Sequence, residues 1–415
     1  EKMPTINLII IIIKMKKVLL LGGSLFQIPS IETAKKMGYH TIVCDYLPDN
    51  PGQHVADEFY SVSTTDKEAV LALARRLSID GIVCYASDPA APTAAYVAEQ
   101  MGFPTSPYAS VELLSNKDRF RDFLAKNNFH VPKAKGWAYE EFAQMMEEIH
   151  TFTFPVMVKP VDSSGSKGVK KIDDPGQLKA AVDAAMAYSR CKRFIIEEYV
   201  EKYGYQIAGD GFSVDGKLVF RCFANEHFDS SGINPYVPIG ESWPYNMPKR
   251  VHDKLHDEIQ RLLTLLDMKT QAYNFDARID DKENVYLMEV GPRNGGNLIA
   301  QVTDYATGVD MVAYTIKAAM GEDCSDLHMV EPKGFWSNYM IHSLKAGKFK
   351  EVWIDEDFRR KNLVEFQMQA KPGDEIQAFT GSNQTLGTMI LTFDAEEEML
   401  EKMDHMENWV RVITE

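Results

Sequence analysis

Short apolar runs alternate with helix-period segments along the first hundred residues, then give way to a different rhythm. Residues 18–21 are apolar and end in Gly22-Gly23-Ser24. Apolar positions at helical spacing follow over 31–37, and a second run over 41–44 closes on Asp45, which together predict a βαβ unit. The theme continues with a helix over 67–77, a strand over 81–85, a helix over 92–101 and a small element at Phe103-Pro104. Residues 15–115 are therefore expected to form an open parallel α/β domain.

After Ser115 strands and helices no longer strictly alternate. Helices over 117–127 and 140–149 precede a strand over 156–159 that runs into a serine-glycine loop. Strands over 194–198, 211–214 and 218–224, a long loop to Pro248, a helix over 251–266 and two strands ending at Val290 predict an antiparallel sheet with covering helices. Beyond Pro332, runs over 335–343, 364–370, 376–379 and 388–393 and a helix over 396–408 predict a small β-rich appendage. The expected class is thus a multi-domain α/β and α+β protein. Its units are 15–115, 116–330 and 331–415, the middle one dividing between 116–196 and 197–330.

Composition narrows the function. At 415 residues, with 45% apolar and 25% charged residues, each unit can bury a core. A formal net charge of -15 argues against nonspecific binding to nucleic acid or an anionic membrane, both of which need a positive field. Five cysteines without C-x-x-C spacing suit a reducing cytoplasm better than a disulfide framework. The apolar stretch over residues 6–13 is far shorter than the roughly 20 residues of a membrane span. Because Met15-Lys16-Lys17 opens directly into the first strand, residues 1–14 are expected to be an upstream extension of the real start, the alternative being an edge strand or tail.

Two segments carry candidate chemistry. Val158-Lys159-Pro160 leads into Asp162-Ser163-Ser164-Gly165-Ser166-Lys167-Gly168, where small residues let backbone N–H groups approach phosphate oxygens and Lys159 and Lys167 supply charge. It is not a P-loop, since G-x-x-x-x-G-K-[ST] is absent. Downstream, Asp276 and Glu289 lie on neighbouring strands joined by a short turn, followed by Arg293-Asn294-Gly295-Gly296-Asn297. Hairpin pairing can put both acids on one face, where they repel unless a cation sits between them, and oxygen ligands beside a nucleotide favour magnesium.

The order of these pieces resembles the ATP-grasp superfamily across residues 15–330, within it the carbamoyl-phosphate-synthase-like and biotin-carboxylase-like branch of carboxylate-amine ligases. The resemblance implies a Rossmann-like pre-ATP-grasp domain, a two-subdomain ATP-grasp fold, ATP with magnesium (manganese as an alternative), and ligation of a carboxylate to an amine through an acyl phosphate. It implies phosphate-binding roles for Lys117 and Lys159 and a flexible lid from Ser163, Ser164, Gly165, Ser166, Lys167 and Gly168. It further implies an adenine hinge at Glu197, Glu198, Tyr199 and Val200, metal carboxylates at Asp276 and Glu289, and Arg293 facing the transferring phosphoryl group. Lys159, Glu289 and Arg293 are the expected catalytic residues. Small-molecule carboxylate and amine substrates follow, and a homodimer stays open. Two departures stand out. The usual E-x-N-x-R is Glu289-Val290-Gly291-Pro292-Arg293, so Asn294 or Asn297 would have to replace the missing asparagine; Gln206 stands where relatives hold ribose with an acid. Bicarbonate activation and ATP sensing without turnover are the alternative readings.

Overall fold

The computed structural model describes residues 15–415, so the expectation for residues 1–14 lies outside the described residues. The first unit is a four-stranded parallel sheet, ordered Glu58–Ser61, His40–Asp45, Lys17–Leu21, Gly81–Cys84. Val18 to Leu21 and Ile42 to Cys44 are essentially inaccessible because helices Ile28–Lys36, Lys67–Leu77 and Ala91–Met101 pack on the sheet. Both faces are covered, which is why these strands read as continuous apolar runs.

The second unit is a four-stranded antiparallel sheet, ordered Ala134–Ala138, Arg193–Glu198, Val156–Pro160, Lys170–Ile172. Helices Phe142–Glu148 and Leu178–Met186 bury one face around Trp137, Phe194 and Ile196. Its other face carries Lys159.

The third element is an eight-stranded sheet. Its order is Val285–Gly291, Gln271–Ile279, Gln206–Val214, Lys217–Phe228, Pro238–Trp243, Phe335–Ile341, Gly387–Phe393, Leu363–Met368. Helix Lys249–Leu265 covers one side through Val251, Leu255, Ile259 and Leu262, all fully buried at helical spacing. The expected boundary near residue 331 does not interrupt this sheet, since Ser242 and Trp243 pair with Ser337 and Trp336. A three-stranded sheet, Glu375–Ile376, Gly347–Ile354, Val410–Thr414, and helix Glu396–Asp404 complete the C-terminal region.

Two strand expectations change. The strand expected over 211–214 runs over Gln206–Val214, and the long loop before Pro248 contains the strand Pro238–Trp243. Both hold buried polar residues, Gln206, Asp210, Glu241 and Ser242, where alternation would lead one to expect apolar ones. All five cysteines are free, and no helix among the described residues is long and apolar enough to cross a membrane.

Candidate active site

One cavity of about 240 Å³ lies between the second unit and the eight-stranded sheet, beneath the loop 162–168. Lys117, Lys159, Lys167, Asp276, Arg278 and Glu289 line it together with Ser163, Ser164, Gly165 and Ser166. Gly165, Ser166 and Gly168 all take left-handed φ values, +68°, +55° and +72°, so the loop turns in a way that side chains disfavour and that exposes backbone N–H groups.

Lys159 reaches the cavity by strand geometry. Val158 and Pro160 point into the core, and Lys159 points the other way. Met157 pairs with Glu197 and Lys159 with Ile195, so Lys159 and Glu197 are diagonal neighbours on one face and their side chains form an ion pair. Arg121 Nε donates to the other Glu197 oxygen at 2.8 Å. Burial alone would raise the Glu197 carboxyl, but the Arg121 and Lys159 charges hold it down at about 2. Glu197 is therefore a buried counter-ion that fixes Lys159, and its side chain is not open to a ligand. The other hinge residues divide: Glu198 accepts from the Thr153 N–H at 2.8 Å, the Val200 carbonyl accepts from Arg278 Nη1 at 2.8 Å, and Tyr199 lines the cavity.

Glu197→Gln should strand two buried cations and lower stability by about 3–5 kcal/mol, readable as a fall in urea midpoint with unchanged slope. Since the folded carboxyl is depressed from 4.5 to about 2, its contribution is complete above pH 4.5 and is lost as pH falls toward 2. The variant should lack that part of the acid dependence, on the order of 3 kcal/mol.

Asp276 and Glu289 are direct cross-strand partners, with a bulge just after Asp276. Burial pushes the Asp276 carboxyl up to about 6; Arg278 opposes this and the Glu289 charge adds to it. Lys117, at the first position of helix Lys117–Lys126, places its Nζ 3.2 Å from Glu289 Oε2 and donates to the Ser163 carbonyl at 2.8 Å. A half-buried carboxylate pair with one lysine on its rim fits a divalent cation by charge and by ligand type. No group of three acids, histidines or cysteines suited to a metal occurs among the described residues, so water and phosphate oxygens would complete any coordination.

The missing asparagine has a steric explanation. A Cβ on Gly291 would stand 2.9 Å from Asp88 Oδ1 and 3.4 Å from the Arg293 guanidinium. That space is filled by a two-point ion pair in which Arg293 Nε donates to Asp88 Oδ1 at 2.6 Å and Nη2 to Oδ2. Asp88 comes from the first unit, and despite burial Arg293 keeps its carboxyl below the usual range, with help from Lys117 and the Ser164 hydroxyl. Asn294 is turned away, its Oδ1 accepting from Thr315 Oγ1 at 2.8 Å. Asn297 instead lines a second cavity, of about 250 Å³, that also touches Asp276, Glu289 and Arg293.

Gln206 does not offer a free amide. Its Nε2 donates to Glu226 Oε2 at 2.7 Å and Asp276 Oδ1 at 2.9 Å, while its Oε1 accepts from Arg278 Nε at 2.7 Å. His227 is buried, bonded to Asp404 Oδ1 and Ser242 Oγ, both at 2.8 Å, and lines neither cavity. Sequence reasoning missed Arg121, Arg278 and Glu226. Arg278 was accessible to it, because two residues beyond Asp276 on a strand is the same face. Arg121 was not, since it sits on a helix with no motif.

An ATP-grasp domain model matches residues 152–302, and the model of L-amino acid ligase C-terminal domain 2 matches residues 340–415. Residues 152–302 are thus similar to an ATP-grasp domain. Its sequence is similar to the formate-dependent phosphoribosylglycinamide formyltransferase of Parasynechococcus marenigrum (strain WH8102), 36% identical over 189 residues, 45% of this chain and 48% of that protein. The chain thus spans about half the length of that curated relative. The fold is similar to the L-amino acid ligase from Bacillus licheniformis, with a TM-score of 0.80 at 18% identity over 96% of this chain and 99% of that one. It is similar also to phosphoribosylglycinamide synthetase from Anaerococcus prevotii, with a TM-score of 0.72 at 20% identity over 96% and 100%. The mixed α/β architecture is accordingly shared with those two proteins over nearly the whole chain.

Proposed function

We propose that this protein is an ATP-dependent carboxylate-amine ligase that works through an acyl phosphate. The observation that carries the reading is the paired Asp276 and Glu289, which share one cavity under a serine-glycine loop with Lys117 and Lys159 and an adjoining cavity with Arg293. ATP binds with its base toward Tyr199 and its phosphates toward Lys117, Lys159 and the loop 162–168. Asp276 and Glu289 hold magnesium, or manganese in its place, which when bound neutralises phosphate charge. An oxygen of the substrate carboxylate attacks the γ-phosphorus, forming the O–P bond as the bond to the β-phosphate oxygen breaks and ADP leaves. Lys117, Lys159 and Arg293 stabilise the charge in flight, since phosphoryl transfer is mostly positioning and electrostatics. An amine nitrogen then attacks the acyl carbon, loses a proton and displaces phosphate. The loop excludes water from the acyl phosphate in the interval.

The parallel α/β unit contributes substrate contacts through residues 22–27 and Asp88, and the loop is its lid. The Gly165 carbonyl accepts from the Ser382 N–H at 3.2 Å, and the Ser166 carbonyl from Asn234 Nδ2 at 3.3 Å, two long contacts that can open and close. Limited proteolysis should cut at 162–168 in free protein and be suppressed by magnesium and ATP; unchanged cleavage would remove the lid assignment. The test of the function is a phosphate-release screen over carboxylate and amine pairs. Hydroxylamine is added to trap any acyl phosphate as a hydroxamate. Phosphate release that needs an acid, with hydroxamate formed from that acid, is the expected result.

A further inference from the structure

The second cavity holds carboxylates that the reaction above does not use. Along the eight-stranded sheet, Glu289 pairs with Asp276, Gln206 bonds to Asp276, Gln206 pairs with Glu226, and Glu226 pairs with Glu241. These five side chains form one row across five adjacent strands, from the metal carboxylates to Glu241. Glu226 and Glu241 both line the second cavity. Each is buried, at 7% and 5% exposure, and the Glu241 Oε2 atom has no hydrogen-bond partner among the described residues. An orphaned carboxylate oxygen facing a cavity is costly, and a buried acid pair without a cation is more so. Burial and neighbouring acids push Glu226 well up, and burial pushes Glu241 to about 7. The cations near this end of the row do not answer the need: Arg293 is taken by Asp88, Arg278 by Gln206 and the Val200 carbonyl, and Lys202 acts on Glu226 only at a distance.

We infer that Glu226 and Glu241 form an ammonium-binding subsite, so that one substrate of the ligase carries a primary ammonium group held at the far end of the row. This deepens the proposed function and rests on it. Adjacent strands lie about 4.8 Å apart, and Glu241 is three strands from Asp276, so the two backbones are separated by roughly 14 Å. The cation therefore sits several bonds away from a carboxylate reacting beside Asp276 and Arg293. Either it belongs to the acid itself, as a terminal amino group, or it is the waiting amine substrate in its protonated form. A neutral chain of the same length would leave Glu241 as it stands, unpaired and buried.

The test titrates the full chain, saturated with MgADP, with L-lysine, hexanoate and 1,5-diaminopentane by calorimetry. L-lysine or the diamine should bind about tenfold or more tighter than hexanoate, which carries no ammonium. Glu241→Gln should abolish most of that difference, and Glu226→Gln should reduce it, while MgADP affinity holds. Binding of L-lysine alone assigns the ammonium to the acid, whereas binding of the diamine assigns it to the amine. Glu241→Asp, which keeps the charge, should retain the preference and serves as the folding control. Hexanoate binding as well as L-lysine, a preference that survives Glu241→Gln, or no binding by either cation would overturn the subsite. Failure of wild type to bind MgADP would overturn the nucleotide reading as well.

Discussion

Glu289→Gln is expected to lower turnover by about two orders of magnitude or more while ATP affinity changes only a few-fold. Glutamine keeps the shape and one coordinating oxygen but removes the charge that, with Asp276, holds a cation against the phosphates. That charge matters most while the γ-phosphoryl group is in transit, so the loss falls on the chemical step. The substitution also frees Lys117, whose Nζ lies 3.2 Å from Glu289, and this should offset part of any loss in nucleotide binding. Calorimetry with nucleotide and steady-state turnover on the same samples separate the two effects. Intact turnover in Glu289→Gln would make the carboxylate pair a structural feature and displace the metal site.

The second large effect belongs to Arg293. Arg293→Ala should cost turnover about 10²–10³-fold, because the guanidinium lines the second cavity together with Asp276 and Glu289. It should also destabilise the fold by about 3–5 kcal/mol, since Asp88 would be left buried without its partner. The two consequences can be pulled apart. In Asp88→Ala with Arg293→Ala the buried charge is gone, so thermal stability should recover while turnover stays low. If the double variant regains turnover, Arg293 serves only to neutralise Asp88. If stability does not recover, the pair is not what couples the first unit to the sheet.

Much of this arrangement was legible in the chain. The parallel unit announced itself through apolar runs buried on both faces, and Asp276 and Glu289 could be placed on one face from the hairpin alone. Lys159 was legible for the same reason, as the one charged residue in a strand otherwise buried. What stayed hidden depended on contacts distant in sequence. Glu197 was read as a hinge acid, yet its side chain turns toward Arg121, 76 residues away, and Lys159. The absent asparagine at Gly291 made the proposed metal site look incomplete, and the Asp88–Arg293 pair, 205 residues apart, accounts for it. The strand Pro238–Trp243 was read as loop because Gly240, Glu241 and Ser242 break the apolar alternation. Those polar residues are buried there because Glu241 faces a cavity and Ser242 bonds to His227. A polar residue inside a strand is thus the mark of the site, and it is also what hid the strand.

The central claim is that a substrate carboxylate attacks ATP directly, and oxygen tracing tests it most closely. The acid found in the phosphate-release screen is supplied with ¹⁸O in both carboxylate positions, together with its amine, magnesium and unlabelled ATP. Each turnover through an acyl phosphate must leave one carboxylate oxygen on the released phosphate, so the phosphate should carry a single ¹⁸O and ADP none. Unlabelled phosphate, released at a rate that does not depend on the acid, would mean that water attacks ATP and that no acyl phosphate forms.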